Sequence, residues 1–190
     1  MKRIALLLAG VTLLAGCGNE PLTTENATRA GSPTAAIRES DADVNKDLAR
    51  LRQVTASFHQ FDRAAEAGWS AKITGCMTDP VAGGMGFHYG NTALIDGTAR
   101  VDEPELLLYE PGKGGKLKLV AVEYIIPYAF HSRESAPPVL FGKEFQRNDT
   151  FQLWGLHAWV WKENPSGIFA SWNPKVNCDN TTDMVAMNHN

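Results

Sequence analysis

Residues 151–161 alternate with a period of two, yet both of the faces so defined are apolar. Phe151, Leu153, Gly155, His157, Trp159 and Trp161 share one face; Gln152, Trp154, Leu156, Ala158 and Val160 share the other. Aromatic and branched residues at this spacing predict a strand, and two apolar faces predict a central one covered on both sides. Residues 116–126 have the same character. Leu117, Leu119, Ala121, Glu123 and Ile125 fall on one face, and Lys118, Val120, Val122, Tyr124 and Ile126 on the other. Upstream the period changes. Val44, Leu48, Leu51, Val54, Phe58, Phe61 and Ala65 recur at spacings of three and four, which predicts one long amphipathic helix over 41–67. Asp41 and Asp43 suit its N-cap and first turn, and Gly68 its stop. His59 lies off the apolar stripe and is expected at the surface or its boundary.

Beyond Gly68 turn signals replace helical periodicity. A first strand over 69–77 ends at Asp79-Pro80, and Gly83-Gly84-Met85-Gly86 leads into Phe87-His88-Tyr89. The β-like runs 105–110 and 116–126 flank Pro111-Gly112-Lys113-Gly114-Gly115, a hairpin signature. Pro127, Pro137 and Pro138 frame a loop before Val139, and 167–174 is a last apolar run. The polar tail over 179–190 is expected to fray. The pattern predicts an α+β domain over 41–178: one long N-terminal helix packed on a curved, mainly antiparallel sheet or small barrel.

The first residues have a different logic. Lys2 and Arg3 precede an apolar run over 4–14 that falls short of the roughly 20 residues a spanning helix needs. The sequence Leu14-Ala15-Gly16-Cys17 that follows resembles the lipobox of bacterial lipoproteins. That resemblance implies a signal peptide over 1–16, cleavage behind Gly16 and lipid modification of Cys17. It also implies an extracytoplasmic protein held to a membrane of the cell envelope. In a cell with two membranes, Gly18 rather than an aspartate after the cysteine resembles the outer-membrane-sorted class, on the periplasmic face. Residues 17–40 are rich in Thr, Ser, Asn, Glu, Pro and Ala and read as a flexible tether.

Removing Lys2 and Arg3 leaves 16 of the 18 basic residues against 21 acidic ones, a mature net charge of about −5. That balance opposes nucleic-acid binding or a basic patch on an anionic bilayer. With Cys17 assigned to lipid, Cys76 and Cys178 remain. In an oxidising compartment they most simply form one disulfide closing a loop of about 100 residues; two thiolate metal ligands are the alternative, although neither lies in a CxxC pair.

Candidate chemistry starts from two ionisable groups on apolar strands, Glu123 and His157. Burying either without a partner costs several kcal/mol. His88, beside a glycine-rich segment, is the third candidate. Two imidazoles and a carboxylate suit Zn²⁺, Cu²⁺, Fe²⁺ or Mn²⁺, but the three are far apart in sequence and no HxH or HExxH motif joins them. The competing expectation is a buried polar network pairing Glu123 with His157, Arg133 or Arg147. His131 lies in the proline-framed loop, and Met184, Met187 and His189 in the tail are soft ligands suited to copper. A non-enzymatic module for a hydrophobic or carbohydrate ligand would instead use an aromatic cleft, for which Tyr89, Tyr124, Trp159, Trp161 and Trp172 are the candidates. No GxSxG, P-loop or Rossmann fingerprint is present.

The segments GGMGFHY (83–89), LLLYEP (106–111), VEY (122–124), LHAWVW (156–161) and WNPKVNC (172–178) together resemble a family of secreted microbial proteins. That family is uncharacterised, so the resemblance implies one extracytoplasmic domain and no activity. The positions of Cys76 and Cys178 fit its outline, which favours the disulfide.

Overall fold

The computed structural model describes residues 40–187. The lipobox-like segment, Cys17, nearly all of the tether and His189 lie outside the described residues. The fold is α+β: a curled, seven-stranded mixed sheet forming a half-barrel, with a helical segment on one face.

The helical segment is not the single helix that its stripe predicts. Helix α1 spans Asp41–Thr55, a 3₁₀ turn Ala56–His59, and helix α2 Phe61–Glu66. Ser40, rather than Asp41, caps α1 by accepting from the Asp43 backbone N–H. The break has a local cause. Thr55 turns its hydroxyl back onto the Leu51 carbonyl at 2.8 Å, competing with the helical ladder, and Gln60 is extended. The Phe58 carbonyl, in the 3₁₀ turn, accepts the Tyr109 hydroxyl at 2.7 Å. The interruption also shifts the phase of the stripe, so that Ala64 rather than Ala65 is fully buried. Gly68, at φ +114°, ends the segment as expected, and His59 is exposed, edge-on to Trp161.

The strands are β1 (Ala71–Asp79), β2 (Gly83–Gly90), β3 (Leu106–Pro111), β4 (Leu117–Pro127), β5 (Val139–Leu140), β6 (Lys143–Glu144), β7 (Gln146–Asn148), β8 (Leu153–Ala158) and β9 (Met184–Ala186). The sheet order is β7-β8-β4-β3-β2-β1-β9, antiparallel at every step except β1–β9, and β5–β6 form a separate small hairpin. The sheet has two edges, so the barrel does not close. β3 and β4 form the expected hairpin around 111–115. The tail differs from expectation: its backbone enters the sheet, with Met184 opposite Cys76 and the Asp183 carbonyl accepting from Cys76 N–H at 2.8 Å. Residues 167–174 form a loop whose backbone joins the sheet ladder at one bridge, Gly84 to Asn173.

Leu48, Leu51 and Ala64 pack on Leu107, Tyr109, Leu119, Val122, Tyr124, Trp154 and Leu156, the larger core. Met77, Met85, Leu106, Leu108, Val120, Ala121, Ile125 and Trp159 form a second core. The two sets expose a bulge in β4. Tyr109 pairs with Leu119 and Leu108 with Ala121, so Val120 is an extra residue in the ladder. Leu117 and Leu119 therefore belong with the helix-side core, and only Ala121, Glu123 and Ile125 share the face that strict alternation assigned to all five. A similar correction applies after β8, which ends at Ala158 rather than running to Trp161. The chain turns there, with the Val160 N–H on the Ala158 carbonyl, and the Trp161 and Lys162 N–H groups both reach the Val120 carbonyl. Trp161 consequently packs toward the helix core, donating its indole N–H to Thr55.

Cys76 and Cys178 form a disulfide across 102 positions. Closing a loop of that length is worth about 4–5 kcal/mol on chain-entropy grounds. Among the described residues no helix is long and apolar enough to cross a membrane.

Candidate metal centre

The register of the sheet assembles the site. Glu123 on β4 is directly opposite His157 on β8. On its other side Glu123 pairs with Leu106 of β3, while His88 of β2 pairs with Leu108, one same-face position along that strand. His88 thus reaches the carboxylate diagonally across β3. Two glycines make room. At Gly155, opposite Ile125, a Cβ would stand 2.9 Å from Glu123 Oε1, so the bare backbone leaves space for the carboxylate. Gly86, at φ +89°, lets β2 approach so closely that a Cβ there would meet the Tyr109 carbonyl at 2.5 Å.

His88, Glu123 and His157 are all buried, and one ligating atom from each lies within 4.8 Å of the other two. Glu123 Oε2 is 3.5 Å from His88 Nε2, and Oε1 is 3.8 Å from His157 Nε2. Neither contact is a hydrogen bond. His157 Nε2 is buried with no hydrogen-bond partner among the described residues, the kind of orphan that ordinarily costs 1–3 kcal/mol. Ligand atoms around an ion with bonds of about 2.0–2.1 Å in a tetrahedral arrangement sit about 3.3 Å apart; the two separations, each to its own carboxylate oxygen, lie within about half an ångström of that spacing, and the three donors together span up to 4.8 Å. The donor set of two imidazole nitrogens and a carboxylate suits a divalent transition metal, and the group can hold one.

Neighbouring residues orient the donors. Thr74 Oγ1 sits 2.8 Å from His88 Nδ1, and with the proton on Nδ1 the Nε2 lone pair faces the site. The His157 ring lies nearly parallel to Trp159, at 12° between planes, and the Trp159 indole is fixed by donation to the Ala170 carbonyl at 2.6 Å. Burial sets the electrostatics. It draws His88 down to about 4 against the help of a backbone hydrogen bond at Gly86, and His157 down to about 3 with a smaller push from His88. Burial raises Glu123 to about 8, assisted by the charge of Glu105.

The other candidates are placed elsewhere. Neither arginine neutralises Glu123: Arg133 holds Asp149 at 2.7 Å and Arg147 lies over the Trp154 ring. His131 contacts the Ala136 carbonyl and the Trp154 edge. The five aromatic residues do not line one cleft. Tyr89, Tyr124 and Trp161 pack in or against the helix-side core, while Trp159 and Trp172 lie on the opposite face behind the site. The cysteines form the disulfide and are not thiolate ligands. Met184 is exposed on β9, apart from the centre's lining residues.

Sequence reasoning missed Thr74, Gly155 and Glu105. The first two become meaningful only once strand register is known. Glu105 is a second buried carboxylate, 1 % exposed, whose Oε2 accepts the Ile125 N–H where β3 pairing with β4 has ended. Burial raises its pKa to about 8 as well. Glu105-Leu106-Leu107-Leu108 is an acidic residue opening an apolar run, a signal that was available. Compared with known proteins, the chain matches no family, no curated sequence and no solved structure.

Proposed function

We propose that this is a lipid-anchored, extracytoplasmic metalloprotein that holds one divalent transition ion on His88, Glu123 and His157. The observation that carries the reading is the buried, partnerless His157 Nε2 aimed at a carboxylate that a second imidazole also faces. A proton shared between two of these groups would satisfy one pair only, whereas an ion satisfies all three. The lipobox-like Leu14-Ala15-Gly16-Cys17 supports the anchor, and the disulfide supports an oxidising compartment.

With three protein donors, an ion held by His88, Glu123 and His157 would remain accessible from the adjoining cavity and would supply Lewis-acid polarisation of a ligand oxygen or of water. The residues have separable roles. Thr74 and Trp159 orient the imidazoles, Glu123 supplies the single negative charge, and the apolar walls exclude bulk water. Elemental analysis of protein purified without chelator or nickel resin tests the proposal. About one equivalent of metal per chain is expected, with loss in both His157→Ala and Glu123→Gln. Substoichiometric metal unchanged by either substitution refutes it. Labelling with a radioactive fatty acid that disappears in Cys17→Ser tests the anchor.

A further inference from the structure

The cavity in front of the three donors has a volume of about 110 Å³. Its walls are mainly aliphatic: Met77, Met85, Leu106, Ile125 and Leu153. An apolar cavity of about 150 Å³ accepts benzene, so this one takes a body of about four to six non-hydrogen atoms. Its mouth is polar, with Gln146, Asn148 and Ser171 beside a single cation, Arg147. Ser171 donates to Gln146 Oε1 at 2.7 Å, and Asn148 Oδ1 accepts the Phe151 N–H at 3.1 Å, which engages the Ser171 proton and both amide oxygens. Arg147 is the single cationic residue of the lining, and its guanidinium lies over Trp154, which belongs to the core on the opposite face. No lysine and no second arginine accompanies it in the lining, where a phosphate or sulfate dianion would call for clustered cations.

Charge narrows the class further. A divalent ion with one carboxylate and two neutral imidazoles carries a net charge of +1 in a buried, largely apolar setting, where uncompensated charge is costly. One negative charge balances it; a dianion overshoots, and the one lining cation, Arg147, is turned onto the Trp154 ring. Resting on the metal reading above, we infer that the open position takes a small monoanion with an apolar tail, a short-chain aliphatic monocarboxylate. Its oxygen would occupy the position facing the cavity and its methylenes would lie among Leu106, Ile125 and Leu153.

The test is a titration of cobalt(II)-loaded protein, followed through the visible d–d bands. Acetate, propionate and butyrate should each perturb the bands, with affinity rising about fourfold per added methylene, the ~0.8 kcal/mol that burying one is worth. Sulfate and inorganic phosphate should bind at least tenfold more weakly than butyrate. Leu153→Trp, at a half-buried position, should keep the cobalt spectrum while losing at least tenfold in butyrate affinity; Leu153→Phe serves if the larger ring prevents folding. Equal affinities from acetate to butyrate, or tighter binding of phosphate, overturn the inference while leaving the metal centre intact. Absence of cobalt bands that depend on His157 removes the metal reading, and this inference with it.

Discussion

Replacing Gly155 by alanine should separate the metal site from the fold that carries it. The new Cβ would stand 2.9 Å from Glu123 Oε1, where ordinary contact begins at 3.4 Å. The carboxylate must therefore retreat by about 0.5 Å, more than twice the roughly 0.2 Å tolerance of a ligand bond. Backbone conformation raises no objection, since Gly155 is outside the positive-φ region. The clashing atom is also the end of a side chain rather than backbone. Alanine removes glycine's excess freedom in the unfolded chain, a gain of about 0.5–1 kcal/mol. The expected outcome is a metal-free protein as stable as the parent or slightly more so, with metal affinity reduced about 10–100-fold, as for other losses of ligand positioning. Urea denaturation in the presence of a chelator measures the first quantity, and competition with a chromophoric chelator the second. Metal affinity within twofold of the parent would show that Glu123 does not bind at the position described. A collapse in stability would show that the glycine serves the backbone instead.

Other outcomes follow from the same structure. In metal-free protein Glu123 and Glu105 retain protons up to about pH 8 that the unfolded chain loses near 4.5, so these groups destabilise the fold as pH rises. His88 and His157, drawn down to about 4 and 3, act with the opposite sign below 6.5. Two against two cancel between about 4.5 and 6.5, so the urea midpoint should hold there, fall between 6.5 and 8, and fall less in Glu123→Gln; a midpoint rising over 6.5–8 contradicts the burial argument. Thr74→Val should lower metal affinity about tenfold, through loss of the His88 Nδ1 contact, and leave near-parental secondary structure by circular dichroism. Unchanged affinity would assign Thr74 to the strand alone. The paired Cys76→Ser and Cys178→Ser change should lower the melting temperature by roughly 10–15 °C, from about 4–5 kcal/mol of loop closure. A fall of less than about 3 °C would indicate that the unfolded chain gains little freedom.

The site was largely legible in the sequence and the fold partly so, for different reasons. An imidazole among Leu153, Trp159 and apolar neighbours, and a carboxylate beside Ala121 and Ile125, announce themselves because burial of charge is expensive whatever the topology. Their pairing was not legible, since it depends on which strands neighbour which and in what register. The hairpin around 111–115 could be read because proline and glycines constrain a turn locally. Val120 could not, because an extra residue in an apolar run leaves composition unchanged while reversing the faces upstream of it. The helix break escaped for a similar reason. Thr55 is compatible with a helix, and only its bond back to Leu51, together with the pull of Tyr109 on Phe58, interrupts the ladder there. The entry of Met184–Ala186 into the sheet rests on backbone bonds to β1, to which a polar composition is blind.

The extra residue at Val120 makes β4 a strand in two phases. Before it, odd-numbered side chains face the helix; after it, they face the side of His88 and His157. Substituting Val120 changes a contact, whereas deleting it would close the ladder and set Leu119 directly beside Ala121. Strict alternation would then keep Leu117 and Leu119 toward the helix and Ala121, Glu123 and Ile125 toward the site. The bulge thus admits one more apolar residue to the second core without turning either half of the strand over, and its loss would cost the contacts of Val120 rather than the arrangement of the donors.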